Sequence, residues 1–376
     1  MRAQQFFYIP SLDGFRAVAV IIVFLSHAGL GDVVPGGFGV TIFFFLSGYL
    51  ITTLLRQEYE KNNTINFKNF YLRRIYRIFP PMYLILFSLL ILALLGKLQH
   101  DMNLTAVLSQ IFHLTNYYIV FNGATHIIPD TGMYWSLAIE EHFYLVFPFF
   151  FLTVVQRWRY PVVAKMLFSL CVIVLLWRVT LIYGWNAPSS RIYSATDTRL
   201  DSLLFGCMMG VWANPALDQE HNLFGPVVIK IGALVLSVGL LLFTLIYRDE
   251  NFRQTFRYTL QGMALFPLFW LAVKHPGWPI FRCLNWPPVR WLGNISYTFY
   301  LSSVFWLDIV HGRGGLLAAG IIAFILTLVF SLLVYWLVER PFAALRRERH
   351  GNAALTHSVP PGLIRPSTDG AVRDVL

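Results

Sequence analysis

The sequence predicts an all-α, polytopic membrane bundle of about ten transmembrane helices, and three observations predict it. Of the 376 residues, 57% are hydrophobic and only 13% charged, where a soluble domain carries roughly 25% charge. Mean hydropathy is +0.59. Apolar runs approaching the ~20 residues that a spanning helix needs recur along nearly the whole chain. No polar half stands apart as a separate soluble domain.

Taken in order, the spans fall at 12–30, 37–55, 80–96, 133–155, 161–183, 198–213, 226–247, 257–274, 291–310 and 315–338. The first is a span rather than a cleaved leader, because no A-x-A site follows it. The sixth and eighth are short, which suits a tilted, broken or re-entrant segment. Residues 103–121, NLTAVLSQIFHLTNYYIVF, are amphipathic and aromatic, as an interfacial or re-entrant helix would be. The polar stretch 346–376, rich in Pro, Gly and Ser, reads as a disordered cytoplasmic tail on a single transmembrane domain, 1–345. With both termini cytoplasmic, 20 of the 29 Lys and Arg fall in inner segments and seven in outer ones, the bias of the positive-inside rule. The net charge of +10 therefore belongs to membrane topology and implies no nucleic-acid partner. Cys171, Cys207 and Cys283 have no metal-ligand spacing and read as small buried hydrophobes, so no metal is expected. Neither an internal repeat nor the inverted symmetry of many transporters is visible.

Ionisable residues within spans are costly and mark candidate sites. Arg16 and His27 are eleven residues apart, which places them within about 20° on one helix face and roughly 16 Å apart along the axis. A snorkelling arginine and a core histidine satisfied by a carbonyl explain the same spacing. In GMYWSLAIEEHFYLVFP, Glu140 falls at a depth comparable to His27 and is expected to hold its imidazole in the tautomer a base needs. Glu141 reads as paired with a basic residue for assembly. In FYLRRIYRIFPPMY, Arg73, Arg74 and Arg77 precede the third span, closed off by Pro80 and Pro81. They form either an anion clamp or a lipid anchor. TIFFFLSGYL interrupts the second span: Gly48 permits close approach, while Ser47 is a nucleophile in principle and a packing residue otherwise. In DTRLD, Asp197, Arg199 and Asp201 sit at the outer mouth of the sixth span, as a polar acceptor site or a local ion network.

Taken together these segments resemble the bacterial membrane-bound acyltransferase 3 family, whose members O-acylate envelope polysaccharides, lipopolysaccharide sugars and some macrolides. The likeness lies in the order of IPSLDGFRAVAVIIVFLSHAG, FFFLSGYLI, FYLRRIYRIFP, WSLAIEEHFYLVFP, DTRLDSLLFG, LGNISYTFYL and VERPF. It implies an essential Arg16–His27 pair with His27 catalytic. It also implies functional importance for Ser47, Gly48 and Tyr49, for Arg73, Arg74 and Arg77, and for Trp135 and Glu140. Ser303 stands where members often carry histidine, so any auxiliary role of that histidine is absent or differently supplied. Some relatives add a periplasmic SGNH-type hydrolase domain, which this chain is expected to do without.

The expected reaction moves an acyl group, acetyl first, from cytoplasmic acyl-CoA to a hydroxyl of a saccharide or lipid-linked saccharide at a bacterial inner membrane. The arginines would hold the donor's phosphates, and His27 would act as base or transient acyl carrier. Tyr49 or Trp135 would donate to the developing oxyanion. Two further readings are a small secreted acceptor such as a macrolide and, in another class, a proton-coupled transporter or flippase.

Overall fold

The computed structural model describes residues 9–99, 101–218, 220–312 and 315–345, and all its regular elements are helices. In chain order these are α1 (Pro10–Leu25), α2 (Gly36–Asn62), α3 (Phe67–Leu94), α4 (Leu104–Ile111), α5 (Thr115–Asn122), α6 (Tyr134–Val155), α7 (Tyr160–Val179) and α8 (Ser189–Ser194). There follow α9 (Thr196–Val211), α10 (Val227–Ile246), α11 (Glu250–Gln254), α12 (Phe256–Lys274), α13 (Pro279–Arg282), α14 (Pro287–Asn294), α15 (Ser296–Val310) and α16 (Leu316–Val334).

Among the described residues seven helical stretches are long and apolar enough to cross a membrane: Pro10–Leu30, Gly36–Asn62, Phe67–Leu94, Tyr134–Val155, Tyr160–Gly184, Val227–Ile246 and Leu316–Leu345. Helices α9, α12 and α15 occupy the sixth, eighth and ninth predicted spans. They are 16, 19 and 15 residues long and lie largely in the protein core. Burial against neighbours lets α9 carry Asp197, Arg199 and Asp201, a polar load that a lipid-facing helix would not tolerate. The chain is an integral membrane protein. The predicted tail, 346–376, lies outside the described residues.

Two elements depart from the sequence expectation. The third helix begins at Phe67 rather than 80, and it runs unbroken through Pro80 and Pro81. Prolines are tolerated within membrane helices: Pro80 and Pro81 remove the donors to the Tyr76 and Arg77 carbonyls, and the Tyr297 hydroxyl, donating to the adjacent Ile78 carbonyl, ties α15 to this stretch. Arg73, Arg74 and Arg77 are thus part of a spanning helix, not of a segment in front of it. The 103–121 stretch is two short helices, α4 and α5, joined through His113 at φ 56°. A smaller correction concerns Cys283, which is exposed, while Cys171 and Cys207 are buried.

Two contacts fix the frame around the site. Helices α2 and α9 touch backbone to backbone. A Cβ at Gly48 would collide with the Leu203 carbonyl, and one at Gly206 with the Phe45 carbonyl, so small residues set the approach. Helices α7, α9 and α12 are joined by Arg178, fully buried, which meets Asp201 in two hydrogen bonds of 3.0 and 2.7 Å and Thr259 at 2.5 Å. Arg56, Arg73, Arg157, Arg159 and Arg340 gather at one end of the bundle, called here the basic end.

Candidate active site

Helix α1 opens with Pro10 in its first turn, where the missing N–H is harmless. One turn on, Asp13 accepts a 2.9 Å hydrogen bond from Arg16. At the far end the helix unwinds over Ser26–Leu30, and Gly29 takes φ 95°, a conformation that favours glycine. His27 lies in this unwound turn and is exposed. Arg16 therefore lies in the first half of α1 and His27 in the turn that follows it.

Arg16 lines a cavity of about 110 Å³ between α1, α2, α3, α6 and α15. Its wall brings together residues from five of the resemblance's motifs: Arg16, Ser47, Arg74 with Arg77, Glu140, and Tyr297 with Tyr300. The Ser47 hydroxyl donates to Glu140 Oε1 at 2.9 Å, and the Tyr144 hydroxyl donates to Oε2 at 3.1 Å. Arg74 sits 5.4 Å over the Tyr144 ring. Arg77 is within electrostatic reach of Arg16 and of Glu140. In the wall three guanidinium groups face one carboxylate, while Asp13, Glu141 and Glu339 lie within electrostatic reach from outside it. The lining itself is rich in cations, which suits an anionic or strongly polar guest.

Glu140 does not meet His27. It lies six residues into α6 opposite Ser47, while His27 sits at the end of α1, about 16 Å along the axis from Arg16. Its hydrogen bonds go to Ser47 and Tyr144, and His27 is not among its partners. Glu141 forms no ion pair among the described residues, and its Oε1 is buried without a hydrogen-bond partner among them.

Other predicted site residues lie outside the cavity. Arg73 pairs with Glu58 at 3.1 Å. The buried Tyr49 hydroxyl donates to Asn214 at 3.1 Å, and Gly48 packs on α9, so neither Gly48 nor Tyr49 reaches a donor in the cavity. Trp135 is set against Tyr193, with Arg199 5.7 Å away. The DTRLD residues point three ways and form no common mouth. Asp197 binds Arg191 at 2.5 Å and the Trp177 indole at 2.7 Å. Asp201 binds Arg178. Arg199 is buried 3.9 Å over the Tyr258 ring and donates to Thr41 at 3.1 Å. An oxyanion role for Tyr49 or Trp135 has no geometric support.

Tyr144, Ser136, Ser296, Tyr297 and Tyr300 belong to the wall and were not singled out in the sequence. Tyr144 had a signal, standing four residues after Glu140 on the same helix face. Tyr297 and Tyr300 lie in LGNISYTFYL, where three-residue spacing puts both on one side of α15. The Ser303 hydroxyl bonds the Tyr300 carbonyl within its own helix.

Comparison with known proteins agrees with this architecture. Residues 9–340 match the acyltransferase domain of the acyltransferase 3 family. The chain is 32% identical over 310 residues to the peptidoglycan O-acetyltransferase OatA of Listeria monocytogenes, covering 78% of this chain and 48% of that protein. It is 32% identical over 317 residues to the Bacillus subtilis protein named "Putative peptidoglycan O-acetyltransferase YrhL", covering 80% and 49%. It is also 31% identical over 352 residues to a "Putative O-acetyltransferase" of Staphylococcus aureus, covering 89% and 57%. The chain thus spans about half the length of the curated relatives it matches. No solved structure matches it significantly. A helical membrane bundle, a cation-lined cavity built from the family's motifs and a match over residues 9–340 lead to one assignment: the chain belongs to the acyltransferase 3 family of membrane acyltransferases.

Proposed function

We propose that this protein transfers an acetyl group from cytoplasmic acyl-CoA to a hydroxyl of a bacterial envelope saccharide at the inner membrane. The observation that supports this reading is the cavity that gathers Arg16 of α1 with Ser47 of α2, Arg74 and Arg77 of α3 and Glu140 of α6, while the unwound turn that follows α1 presents His27. The basic end faces the cytoplasm under the positive-inside rule. There Arg74 and Arg77 take the donor's diphosphate, and the extended pantetheine arm runs along the cavity past Arg16. Ser47, Glu140 and Tyr144 offer polar partners for its amides. At the opposite end His27 Nε2 or Nδ1 removes the proton from the acceptor hydroxyl as that oxygen attacks the acetyl carbonyl. The C–S bond breaks, the ester forms, and the proton ends on the departing thiolate. The names of two relatives, OatA and YrhL, point to peptidoglycan as the acceptor class. Lipopolysaccharide O-antigen, capsule and exopolysaccharide are the other acceptors in scope.

The test is transfer of labelled acetyl from acetyl-CoA by the purified protein to peptidoglycan fragments or other envelope saccharides. His27→Ala is expected to lower turnover by roughly 10²–10⁴-fold, the usual contribution of a general base. Glu140→Gln keeps the shape of the hydrogen-bonded side chain but removes the one carboxylate in the wall that faces the three guanidiniums. It is expected to alter the KM for acetyl-CoA by roughly tenfold. Absence of transfer to every saccharide offered, together with His27→Ala behaving as wild type, would overturn the reading.

A further inference from the structure

The cation-lined cavity changes character along its length. Arg16, Arg74 and Arg77 line it toward the basic end, while Val40, Phe43, Leu137 and Tyr300 line it toward the end that carries His27. There Phe43 and Tyr300 meet edge to face, with ring centroids 6.0 Å apart. Phe43 differs from the two phenylalanines that follow it. Phe44 and Phe45 are 1% and 0% exposed and pack on Trp135 and Phe269. Phe43 is only half-buried and belongs to the cavity wall. Tyr300 is the fixed partner of the pair. Its hydroxyl donates to the Met133 carbonyl at 3.3 Å and lies 2.8 Å from the Ser136 hydroxyl.

The pair stands between Arg16 and His27. On one flank of α1, Gly39 of α2 abuts Ala19 and Val23. On the other, Phe299 of α15 meets Phe24 at 5.7 Å. Phe43 comes from α2 and Tyr300 from α15, so their contact bridges the two helices across the α1 face on which Arg16 lies. Phe24 precedes His27 by three residues, and Phe299 adjoins Tyr300. The bridge is therefore within about two helical turns of the imidazole in depth. Both rings line the cavity, and His27 does not. An acyl thioester that enters past the arginines has to part these rings, or slip between them, before its carbonyl reaches His27. Such a passage discriminates by volume, and one methylene in an apolar site is worth roughly tenfold or more in kcat/KM. We infer that the Phe43–Tyr300 pair sets the length of the acyl group this protein transfers, passing acetyl and excluding longer chains. The inference rests on the acyl-CoA reading of the cavity.

The test compares acetyl-, propionyl- and butyryl-CoA as donors to peptidoglycan fragments, with the full chain in nanodiscs. Wild type should prefer acetyl to butyryl by roughly a hundredfold in kcat/KM, about tenfold per methylene. Phe43→Ala and Tyr300→Leu should each raise the butyryl-to-acetyl ratio by roughly tenfold. The double variant should add little to either, because each change removes half of one contact. Phe43→Trp should lower the ratio. Phe43→Leu, the mildest truncation, should raise it less than Phe43→Ala does, and keeps the ratio readable where a larger change loses the fold. Equal losses with all three donors assign the rings to packing and overturn the inference. Wild type that takes butyryl as readily as acetyl overturns it as well. Either result leaves the donor assignment standing. Wild-type protein that transfers none of the three acyl groups removes the donor assignment itself, and the inference with it.

Discussion

Arg178 and Asp201 are both fully buried and locked in a two-pronged contact. Desolvation makes such a pair weak in net stability, but removing one partner strands the other charge. Arg178→Met or Asp201→Leu alone should therefore cost about 3–5 kcal/mol, and the double variant markedly less than the sum; thermal unfolding in detergent would show it. Asp130 offers a second case, in the loop before α6. Burial, and then the charge of Asp308, push its carboxyl up to about 6, and its Oδ2 is buried without a partner. A raised carboxyl pKa means the folded state holds the proton more tightly than the unfolded chain does. This contribution is present below the ordinary value of 3.8 and lost as pH rises through about 6. The unfolding temperature should fall over that window, and Asp130→Asn should flatten the slope. Residue types were the most legible part of the site: Arg16, Ser47, Arg74, Arg77 and Glu140 all stand out in the sequence, and all line one cavity. Their pairings were not legible. Counting residues inward along α6 does not give its offset against α1, which is why Glu140 was matched with His27 instead of Ser47.

Helices α2 and α9 show what a glycine does when two backbones meet. At Gly206 an added Cβ would strike the Phe45 carbonyl and crowd the Tyr49 amide, and a carbonyl cannot step aside as a side chain can. Gly206→Leu should separate the pair, and size-exclusion chromatography should show loss of monodisperse protein. On α10 the opposite holds: a Cβ at Gly232 meets nothing within 4 Å. Gly232→Ala should be neutral or stabilising by about 0.5–1 kcal/mol, the helix-propensity difference. At this scale most helix positions follow from hydropathy, because a spanning run is long and apolar whichever way it packs. The start of α3 does not. Pro80 and Pro81 read as a boundary, yet the helix runs through them with α15 bound alongside at the Ile78 carbonyl.

The whole molecule is polarised, with cations crowded at one end and His27 at the other. That polarity sets an orientation that cells can report. With the native cysteines replaced by alanine, a cysteine at Trp158 should react with a membrane-impermeant maleimide only from the cytoplasmic side. One at Phe121, 81% exposed in the last turn of α5, should react only from outside. Labelling of both from one side would reverse or break the arrangement on which the proposed route depends.

Arg178 has a consequence for how the chain is made. Ribosomal synthesis delivers α7 before its counter-charge, since Asp201 lies 23 residues downstream. An arginine at a helix centre costs about 2.5–3.5 kcal/mol on insertion scales, and Arg178 stands nearer the end of α7, where the cost is smaller. Helix α7 alone should therefore insert less completely than α7 followed by α9, as glycosylation-site reporters of insertion would show. Equal insertion with and without α9 would sink the idea that this ion pair matters while the chain is being made.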